Sequence, residues 1–577
     1  MDIFDTKEDE IEQPVEKKTT IEWSSMLKYQ PREEQNEMVK FTMKSFFEER
    51  KKFVLLDAPV GIGKSYYAVM LADAIRKKLP KIKVDILTST KILQKQYAED
   101  FDMINNLWGA GNYECERHEV MCDIGKDICA LQKSFCEECP QRMAKEAYTK
   151  GFVSLTNYHL YTTYAMYAPS NIEERGAKLL IVDEAHEFDS VLCDFVTVKT
   201  NRYILNKEYG FEEKVLKDYD DLFKKTKSIE QYVDMVKTVL LNDLKQKRKD
   251  VVDQEKSFKK KSDWVKKMKT LDNAIAKFDT FIKEYTDDPD NWIFEIDQNL
   301  YAKGEKRNTI DLMVQPIWSK DYLKTYVWEN YDYVVLMSGT ILDKKLFSFL
   351  NGLEEDKTAY LQIDSPFPKE NRKIYNMPVA TMNYDNKKQS FQKMLPWIKK
   401  IVNKYKDSKG IIHTVSFELV KWLKEEMEKD KSEEGKKFFD RFLFHDQSEI
   451  NSGKSSVSLR DLMLRRHTSS KEATILVSPS MFTGIDLKDD LSRFQVILKI
   501  PYPFLGSQKI KKRKDMYPPF YGWRTVADIV QSYGRSVRNM NDYADTYILD
   551  ASFENLRRYN GAFMPKYFKE AVIDIKI

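Results

Sequence analysis

Short apolar runs alternate with amphipathic segments of helical period along most of the chain. A run that is apolar at every position is typical of a strand buried on both faces, and hence of a parallel sheet covered by helices. The runs fall into two groups, which predicts two α/β lobes. The first group is FVLLDAP (53–59), VDILTST (84–90), FVSLTN (152–157), KLLIVDEA (178–185) and YVVLMSGT (333–340); the second is GIIHTVSF (410–417), ATILVSPS (473–480), QVILKIPYP (495–503) and DTYILDAS (545–552).

Three stretches do not follow this alternation. Residues 106–147 hold a group of cysteines, residues 190–320 are rich in Lys, Asp and Glu with helical period, and residues 420–468 form a shorter charged helical insert. The predicted domains are a mobile tail (1–20), a first lobe (21–105 with 148–189 and 321–345), a cysteine-rich domain (106–147), a helical insertion (190–320) and a second lobe (346–577).

Length and composition agree with several folded domains. The chain has 577 residues, of which 42% are apolar and 13% aromatic, enough for two to four domains with cores of their own. The net charge is only +4, so any surface for nucleic acid must be a local stripe. No apolar run reaches about 18 residues, and the polar N-terminus is no signal peptide. These features predict an intracellular protein with reduced cysteines.

The segment from Asp57 to Ser65, DAPVGIGKS, follows an apolar strand and opens a helix. This strand–turn–helix context favours a phosphate-binding loop, in which glycines let backbone N–H groups approach the phosphates. Lys64 is then expected to reach the β- and γ-phosphates of ATP, and the Ser65 hydroxyl to bind Mg²⁺. Ala58 replaces the usual first glycine. The predicted nucleotide-binding residues of the loop are Ala58, Pro59, Val60, Gly61, Ile62, Gly63, Lys64 and Ser65.

Two further segments complete an apparatus for nucleotide hydrolysis. Asp183 and Glu184 end the strand LLIV and open the motif DEAH. Asp183 is predicted to hold Mg²⁺, and Glu184 to orient and deprotonate the attacking water. The segment QSYGRSVR, 531–538, carries two arginines three residues apart, which places them on one face of a predicted helix. Gln531, Arg535 and Arg538 are the catalytic candidates there, the arginines as fingers on the γ-phosphate.

In this order the motifs resemble superfamily 2 helicases of the DEAH kind, and specifically the XPD/DinG-like branch, over residues 29–552. YQPREEQ (29–35) resembles that branch's adenine-side motif, with Tyr29, Arg32 and Gln35 as nucleotide-binding candidates. LTSTKILQKQ (87–96) resembles the first DNA-contacting motif, and Ser338-Gly339-Thr340 the coupling motif. SPSMFTGIDL (478–487), with Gly484 and Asp486 at its core, is similar to motif V, and KIPYPFLG (499–506) and QSYGRSVRN (531–539) are similarly placed.

The resemblance implies an α/β fold of two RecA-like lobes with ATP and Mg²⁺ in the cleft between them. It also implies a monomeric motor that moves 5′ to 3′ on single-stranded DNA and unwinds forked or R-loop-type duplexes in replication, repair or recombination. The alternative is an ATP-driven translocase that displaces proteins without unwinding. The insertion at 190–320 corresponds to an arch-like lobe, or alternatively to a peripheral docking domain. Lys- and Ile-rich usage and compact length favour the cytoplasm of a bacterium or phage-infected cell over a nucleus.

Five of the six cysteines lie between positions 115 and 139. The XPD-like branch carries a four-cysteine iron–sulfur domain at this place, and NYEC (112–115) and CPQRMAKEA (139–147) resemble its first and last ligand regions. A [4Fe–4S] cluster needs four thiolates, so one cysteine is spare. Zinc is the competing interpretation, because Cys136 and Cys139 form a CxxC half-site. The candidates are Cys115, Cys122, Cys129, Cys136 and Cys139; Cys115, Cys129 and Cys139 are preferred, with Cys122 or Cys136 as the fourth.

Nucleic acid is expected to be held by its phosphates across both lobes, with little sequence preference. The run Lys511-Lys512-Arg513-Lys514, near Tyr517 and Tyr521, either contacts the strand or forms a solvated loop. The stretch KSFKKKSDWVKKMK (256–269) is predicted to be a solvated helix face, with DNA contact as the alternative. The other candidate contacts are Thr90, Lys91 and Gln94 in the first lobe, and His413, Thr414 and Ser416 in the second.

Overall fold

The computed structural model describes residues 30–299, 309–446, 456–481, 487–537 and 539–576. Four predicted site residues, Tyr29, Gly484, Asp486 and Arg538, lie outside these ranges, as does the predicted tail. The strands, in chain order, are β1 Phe53–Asp57, β2 Val84–Thr88, β3 Asn105–Asn106, β4 Glu114–Cys115, β5 Val120–Met121, β6 Val153–Asn157, β7 Leu179–Asp183, β8 Val198–Thr200, β9 Trp292–Asn299, β10 Thr309–Pro316, β11 Tyr333–Ser338, β12 Thr358–Gln362, β13 Ile374–Ala380, β14 Gly410–His413, β15 Phe442–Phe444, β16 Ile475–Ser478, β17 Phe494–Ile497, β18 Asp545–Asp550 and β19 Val572–Asp574.

Helices cover both faces of the sheets, as the apolar runs require. The α-helices of six or more residues are α1 Glu33–Phe47, α2 Lys64–Lys78, α3 Lys91–Asp100, α4 Cys122–Gln132, α5 Pro140–Lys150, α6 Tyr158–Tyr167, α7 Ser170–Arg175, α8 Phe188–Val196, α9 Glu213–Lys225, α10 Ile229–Met235, α11 Leu241–Asp253, α12 Lys261–Asp287, α13 Lys344–Leu350, α14 Lys387–Lys404, α15 Phe417–Met427, α16 Glu433–Asp440, α17 Ser456–Ser469, α18 Gln508–Met516, α19 Pro519–Tyr533 and α20 Ser552–Asn560.

Two seven-stranded sheets form the two lobes, and every strand pair in them is parallel. The first has the order β12-β1-β11-β7-β2-β6-β3, and the second β15-β16-β14-β17-β18-β13-β19. All nine apolar runs supply strands of these sheets, which confirms the prediction of two parallel α/β lobes. The carboxyl ends of parallel strands meet at one edge of each sheet, so the loops after β1, β7 and β11 lie side by side.

Two predicted boundaries need correction. The first lobe was expected to end at residue 345, but β12, Thr358–Gln362, pairs in parallel with β1 and extends the first sheet. The charged stretch 420–468 was expected to be a helical insert, but it contains β15, Phe442–Phe444, which pairs with β16 at the edge of the second sheet. Both strands are short edge strands among charged residues, so their apolar signal is weak.

The stretch 190–320 forms a helical layer on a small antiparallel sheet. Its strands have the order β8-β10-β9, and one continuous apolar cluster joins it to the first sheet and to helix α19 of the second lobe. The long helix α12 packs on α4 of the cysteine segment, where Lys269 Nζ lies 3.6 Å from the Asp127 carboxylate. The insertion therefore contacts the cysteine segment.

Candidate functional site

The loop between β1 and α2 has the conformation that phosphate binding requires. Gly61 and Gly63 have φ values of 85° and 86°, a region that residues with a Cβ rarely adopt. A Cβ on Gly63 would also lie 2.2 Å from Gln35 Nε2. Helix α2 begins at Lys64, so its unpaired N–H groups and positive dipole end face the loop. Lys64 is buried, and its Nζ donates to the Ala58 carbonyl at 3.4 Å.

Arg32 and Gln35 support this loop from outside. The Arg32 guanidinium donates to the Gly61 carbonyl at 2.9 Å, and Gln35 Nε2 donates to the carbonyls of Ile62 and Gly63 at 3.1 and 3.2 Å. Both residues also line the cleft. Predicted as nucleotide-binding residues, they are placed where they hold the backbone of the phosphate-binding loop.

Asp183 and Glu184 lie at the carboxyl end of β7, opposite the loop. Asp183 is buried, and its two carboxylate oxygens accept hydrogen bonds from the Glu184 N–H and the Tyr97 hydroxyl, each at 2.9 Å. Burial and the charge of Glu184 raise the pKa of Asp183 to about 6. Glu184 has φ of 55°, a strained conformation for a residue with a side chain, and such strain occurs often at functional sites.

The donor set fits a hydrated Mg²⁺ beside a triphosphate. Mg²⁺ prefers oxygen ligands and retains several of its waters. The Ser65 hydroxyl and the Asp183 carboxylate line one cleft with Lys64, so the oxygen ligands and the cation for the phosphates face the same space. A bound cation would also oppose the protonation that burial favours at Asp183.

A chain of hydrogen bonds joins the two lobes beside this site. His186 Nδ1 lies 2.8 Å from Ser338 Oγ within the first lobe. Gln531 Nε2 of the second lobe donates to Thr340 Oγ1 at 3.0 Å, and Gln531 Oε1 accepts from Arg535 at 2.8 Å. The helix was predicted to continue through residue 538, but α19 ends at Tyr533 and Arg535 lies in the turn that follows.

The cleft between the lobes has a volume of about 550 Å³, within the range of small-molecule sites. It brings together the predicted residues Arg32, Gln35, Lys64, Asp183 and Arg535. Its full lining is Gln30, Arg32, Gln35, Val60, Gly61, Gly63, Lys64, Ser65, Tyr66, Ser89, Thr90, Ile92, Leu93, Gln96, Asp100, Asp183, Glu184, His186, Glu187, Lys488 and Arg535.

The clustered cysteines come together around α4. The sulfur atoms of Cys115, Cys129 and Cys136 all lie within 4.8 Å of one another. Cys139, preferred from the sequence, is outside this trio and Cys136 takes its place. The Cys122 thiol, at the start of α4, is close to the thiols of Cys139 and Cys115; burial and these neighbours raise its pKa to about 12.

Such crowding fits a metal centre. Thiolates repel one another unless a cation lies among them, and a bound metal deprotonates its thiol ligands. Gly125 of α4 leaves room for the group, since a Cβ there would lie 2.6 Å from the Cys115 sulfur. All six cysteines belong to the described residues, and each is free of disulfides. The arrangement is compatible with an iron–sulfur site. The sixth cysteine, Cys193 of α8, is fully buried and lies apart from this group.

Several residues predicted to contact nucleic acid are buried inside the protein. Gln94 is fully buried, and its amide bonds Asn106, the Leu107 carbonyl and Asn157. His413 and Thr414 are also fully buried. Thr90 and Ser416 are half-buried caps of α3 and α15. Lys91 is exposed and donates to Asn112 Oδ1 at 2.8 Å.

The basic run 511–514 is helical rather than a loop, and its four residues are not equivalent. Lys511 and Lys512 are exposed on α18, but Arg513 is buried and forms an ion pair with Asp189 of α8, with Nη1 and Oδ2 2.7 Å apart. Tyr517 stacks on Phe349, and Tyr521 stacks on Tyr502. Only part of this basic run is therefore available to contact nucleic acid.

Comparison with known proteins agrees with this architecture. The family model described as the helicase C-terminal domain matches residues 398–571, and the type III restriction enzyme res subunit model matches residues 28–209. A probable ATP-dependent helicase of Methanocaldococcus jannaschii is 22% identical, with 88% of this chain and 89% of the relative aligned. ATP-dependent DNA helicase CHL1 of Candida albicans is 28% identical over 15% of this chain and 12% of its own.

Solved XPD structures share the fold over nearly the whole chain. One XPD helicase structure superposes with a TM-score of 0.56 at 16% identity, covering 95% of this chain and 100% of its own. A second XPD structure, of the apo form, gives a TM-score of 0.56 at 14% identity, covering 94% of this chain and 100% of its own. Fold, matched domains and ordered motifs together support an XPD/DinG-like helicase of superfamily 2, and therefore an ATP-dependent helicase. Among the described helices, none combines the length and apolar character needed to cross a bilayer.

Proposed function

We propose that the protein is an ATP-dependent DNA helicase that translocates 5′ to 3′ on single-stranded DNA and unwinds forked or R-loop-type duplexes. The observation that carries the proposal is the cleft itself. Lys64 and Asp183 come from the first lobe, and Arg535 comes from the second. A triphosphate bound between them draws the lobes together, and its hydrolysis releases them. Such alternation between two states converts hydrolysis into stepping along a strand.

Each residue has a role in the hydrolysis that its chemistry suits. Lys64 and the loop amides hold the phosphates, while Ser65 and Asp183 hold Mg²⁺. Glu184 orients the attacking water and takes its proton. Arg535, and Arg538 outside the described residues, neutralise charge that develops on the γ-phosphate. The chain from His186 through Gln531 to Arg535 relates the closure of the lobes to the state of this site.

The cysteine segment is proposed to hold a [4Fe–4S] cluster and to act as a rigid wedge where the duplex divides. Buried apolar side chains between residues 106 and 147 are few, and three of the five are Cys115, Cys122 and Cys129; the others are Leu107 and Ile128. So small an apolar core is marginal by itself, and metal–thiolate bonds supply the missing rigidity. Four of the five clustered thiols would hold the cluster, which here has a structural role.

The outer surface of this segment is suited to contact with unpaired bases. The side chains of Met121, Leu131, Phe135 and Met143 are between 37% and 60% exposed. Phe135 lies next to Cys136, so the metal centre would hold its backbone in place. Aromatic and apolar side chains stack on bases without regard to sequence.

A strand-separation assay tests the proposal directly. Wild-type protein with ATP is compared on 5′-tailed, 3′-tailed and RNA-containing forks, and on a single strand that carries a bound protein block. The proposal expects unwinding of the 5′-tailed fork and little of the 3′-tailed one. Removal of the block without strand separation on any fork would overturn it in favour of a translocase. Unwinding from a 3′ tail alone would overturn the direction.

A further inference from the structure

Tyr97 is fully buried beside the carboxylate that is proposed to hold Mg²⁺. Its hydroxyl donates to Asp183 Oδ2 at 2.9 Å, and the other oxygen of that carboxylate accepts the N–H of Glu184. The two bonds fix the plane and the rotamer of the Asp183 side chain. Tyr97 belongs to α3, the helix that follows β2, and lies outside the motif that supplies Asp183. In the sheet, β11 and β7 lie between β2 and β1, the strand before the phosphate-binding loop.

The same helix is also hydrogen-bonded to the residues where the chain leaves the edge strand β3 and enters the cysteine segment. Gln94, three residues before Tyr97, donates to Asn106 Oδ1 at 2.7 Å and to the Leu107 carbonyl at 2.9 Å. Lys91 donates to Asn112. Residues three apart on a helix are neighbours, so Gln94 and Tyr97 lie close together on α3. A movement of the cysteine segment that displaces Gln94 would therefore also affect the position of Tyr97.

We infer that Tyr97 is a positioning residue, which holds Asp183 in the orientation that binds Mg²⁺·ATP and ties that orientation to the contact between α3 and the cysteine segment. The inference rests on the part of the proposed function that gives Asp183 to Mg²⁺·ATP. When the cysteine segment meets a duplex, its contact with α3 would then change the position of Asp183 in the nucleotide site. The physical reason is that a carboxylate freed from one of two bonds samples other rotamers, and fewer of them meet the metal.

Tyr97→Phe removes only the hydroxyl, and Tyr331→Phe is a matched control. The Tyr331 hydroxyl is likewise buried and donates to a buried carboxylate of the same sheet, Asp85 Oδ2, at 2.7 Å. Asp85 forms an ion pair with Arg175 and is not among the residues that line the cleft. Both variants lose one hydroxyl-to-carboxylate bond, so a difference between them reports on Asp183. Thermal unfolding of each confirms that the protein is folded.

The measurement is equilibrium binding of a fluorescent ATP analogue as Mg²⁺ is titrated, without nucleic acid. Tyr97→Phe should raise the Mg²⁺ concentration for half-maximal binding about tenfold, the effect of one bond to a charged group. Binding in EDTA should not change, and Tyr331→Phe should match wild type. An unchanged Mg²⁺ requirement in Tyr97→Phe, or an equal shift in Tyr331→Phe, would overturn the inference. Wild-type protein that binds no analogue would instead overturn the proposed function.

A second variant tests the link through α3 without touching the core. Asn106→Ala removes one partner of Gln94 at the start of the cysteine segment. It should raise the Mg²⁺ requirement in the same direction as Tyr97→Phe, and the double variant should shift it less than the product of the two single effects. Independent effects, or no effect of Asn106→Ala, would overturn the link.

Discussion

Gln531, at the end of helix α19 in the second lobe, donates through Nε2 to Thr340 Oγ1 of the first lobe at 3.0 Å. The same amide nitrogen lies 3.4 Å from His186 Nε2, and the amide oxygen accepts from Arg535. Gln531 is buried, so its contacts are made in a region of low dielectric, where each hydrogen bond is stronger. This one side chain of the second lobe thus contacts His186 and Thr340 of the first lobe, together with Arg535 of its own lobe.

Replacement of Gln531 by Ala should separate nucleotide binding from turnover. The phosphates keep Lys64 and the loop amides, so ATP affinity should stay within a few-fold of wild type. Strand-stimulated ATPase activity should fall by about 10- to 100-fold, as expected for the loss of buried bonds that position a charged group. Gln392→Ala, at an exposed amide that bonds Glu426, is the control. A variant with normal stimulation would exclude Gln531 from the coupling.

The phosphate-binding loop could be predicted because its signal is local. An apolar strand, two glycines and the start of a helix follow one another closely in the chain, and Gly61 and Gly63 have positive φ values that glycine adopts without strain. The buried strands were predictable for the same reason. Strand β12 was missed because TAYLQ has buried and partly exposed positions with a charged flank; its place is set by pairing with β1, far away in the chain.

The contacts of Tyr97 and Arg513 could not be predicted from the sequence. Tyr97 is one of 32 tyrosines, and its contact with Asp183 depends on how α3 packs against the sheet. Arg513 lies in a run of four basic residues whose pattern indicates a solvated or strand-binding surface. Only the fold shows that this arginine turns inward to Asp189. A run of basic residues does not by itself indicate which of its side chains faces the core.

The roles of Lys64 and Glu184 can be separated by two substitutions. Lys64→Ala should abolish ATP turnover and weaken ATP binding, because the β- and γ-phosphates lose their cation. Glu184→Gln keeps the size and polarity of the side chain but removes the base. It should retain ATP binding, lower turnover by about 100-fold or more and hold the closed state on single-stranded DNA. Steady-state ATPase and filter binding measure both effects, and normal turnover by Glu184→Gln would refute its assignment.

Loss of the Arg513 side chain should destabilise the contact between α18 and α8. The guanidinium donates to both oxygens of Asp189 and to the Ile317 carbonyl. Arg513→Ala therefore leaves a largely buried carboxylate, only 13% exposed, without its ion-pair partner. The free energy of unfolding should fall by about 3–5 kcal/mol, measured by denaturant titration. Lys512→Ala, the exposed neighbour, should change it by less than about 0.5 kcal/mol. If Arg513→Ala and Lys512→Ala lowered the free energy of unfolding equally, the ion pair would contribute no more to stability than an exposed lysine does.

This ion pair also predicts a dependence of stability on pH. Burial raises the pKa of Asp189, but the charge and hydrogen bonds of Arg513 outweigh it and lower the pKa from 3.8 to about 2. A carboxylate with a depressed pKa in the folded state stabilises the protein fully above its unfolded value. The contribution should therefore be present above about pH 4 and be lost as the pH falls toward 2. The difference in unfolding free energy between wild type and Asp189→Asn, measured across that range, should shrink accordingly.

The last prediction concerns Gly125, which lies within α4 and faces the Cys115 sulfur. On helix propensity alone, alanine at this position should stabilise α4 by about 0.5–1 kcal/mol. A Cβ there would, however, lie 2.6 Å from the Cys115 sulfur and 2.7 Å from its Cβ, too close for either atom to remain in place. Gly125→Ala should therefore displace one ligand of the proposed cluster. Protein purified without oxygen should lose most of its iron, its sulfide and its brown colour.

Gly111→Ala is the matched control, since its added Cβ would lie 3.6 Å from the nearest atom, in Asp123, which is an ordinary contact. It should keep full metal content. Cys115→Ser should behave like Gly125→Ala, and both should lose unwinding while retaining DNA-stimulated ATPase activity, because the ATP cleft is built from other segments. A wild-type protein that is colourless and holds one zinc ion would replace the cluster by zinc and leave the steric argument intact. Full metal content in Gly125→Ala would contradict a centre that includes Cys115, because a displaced thiolate cannot keep its bond to a metal of fixed geometry.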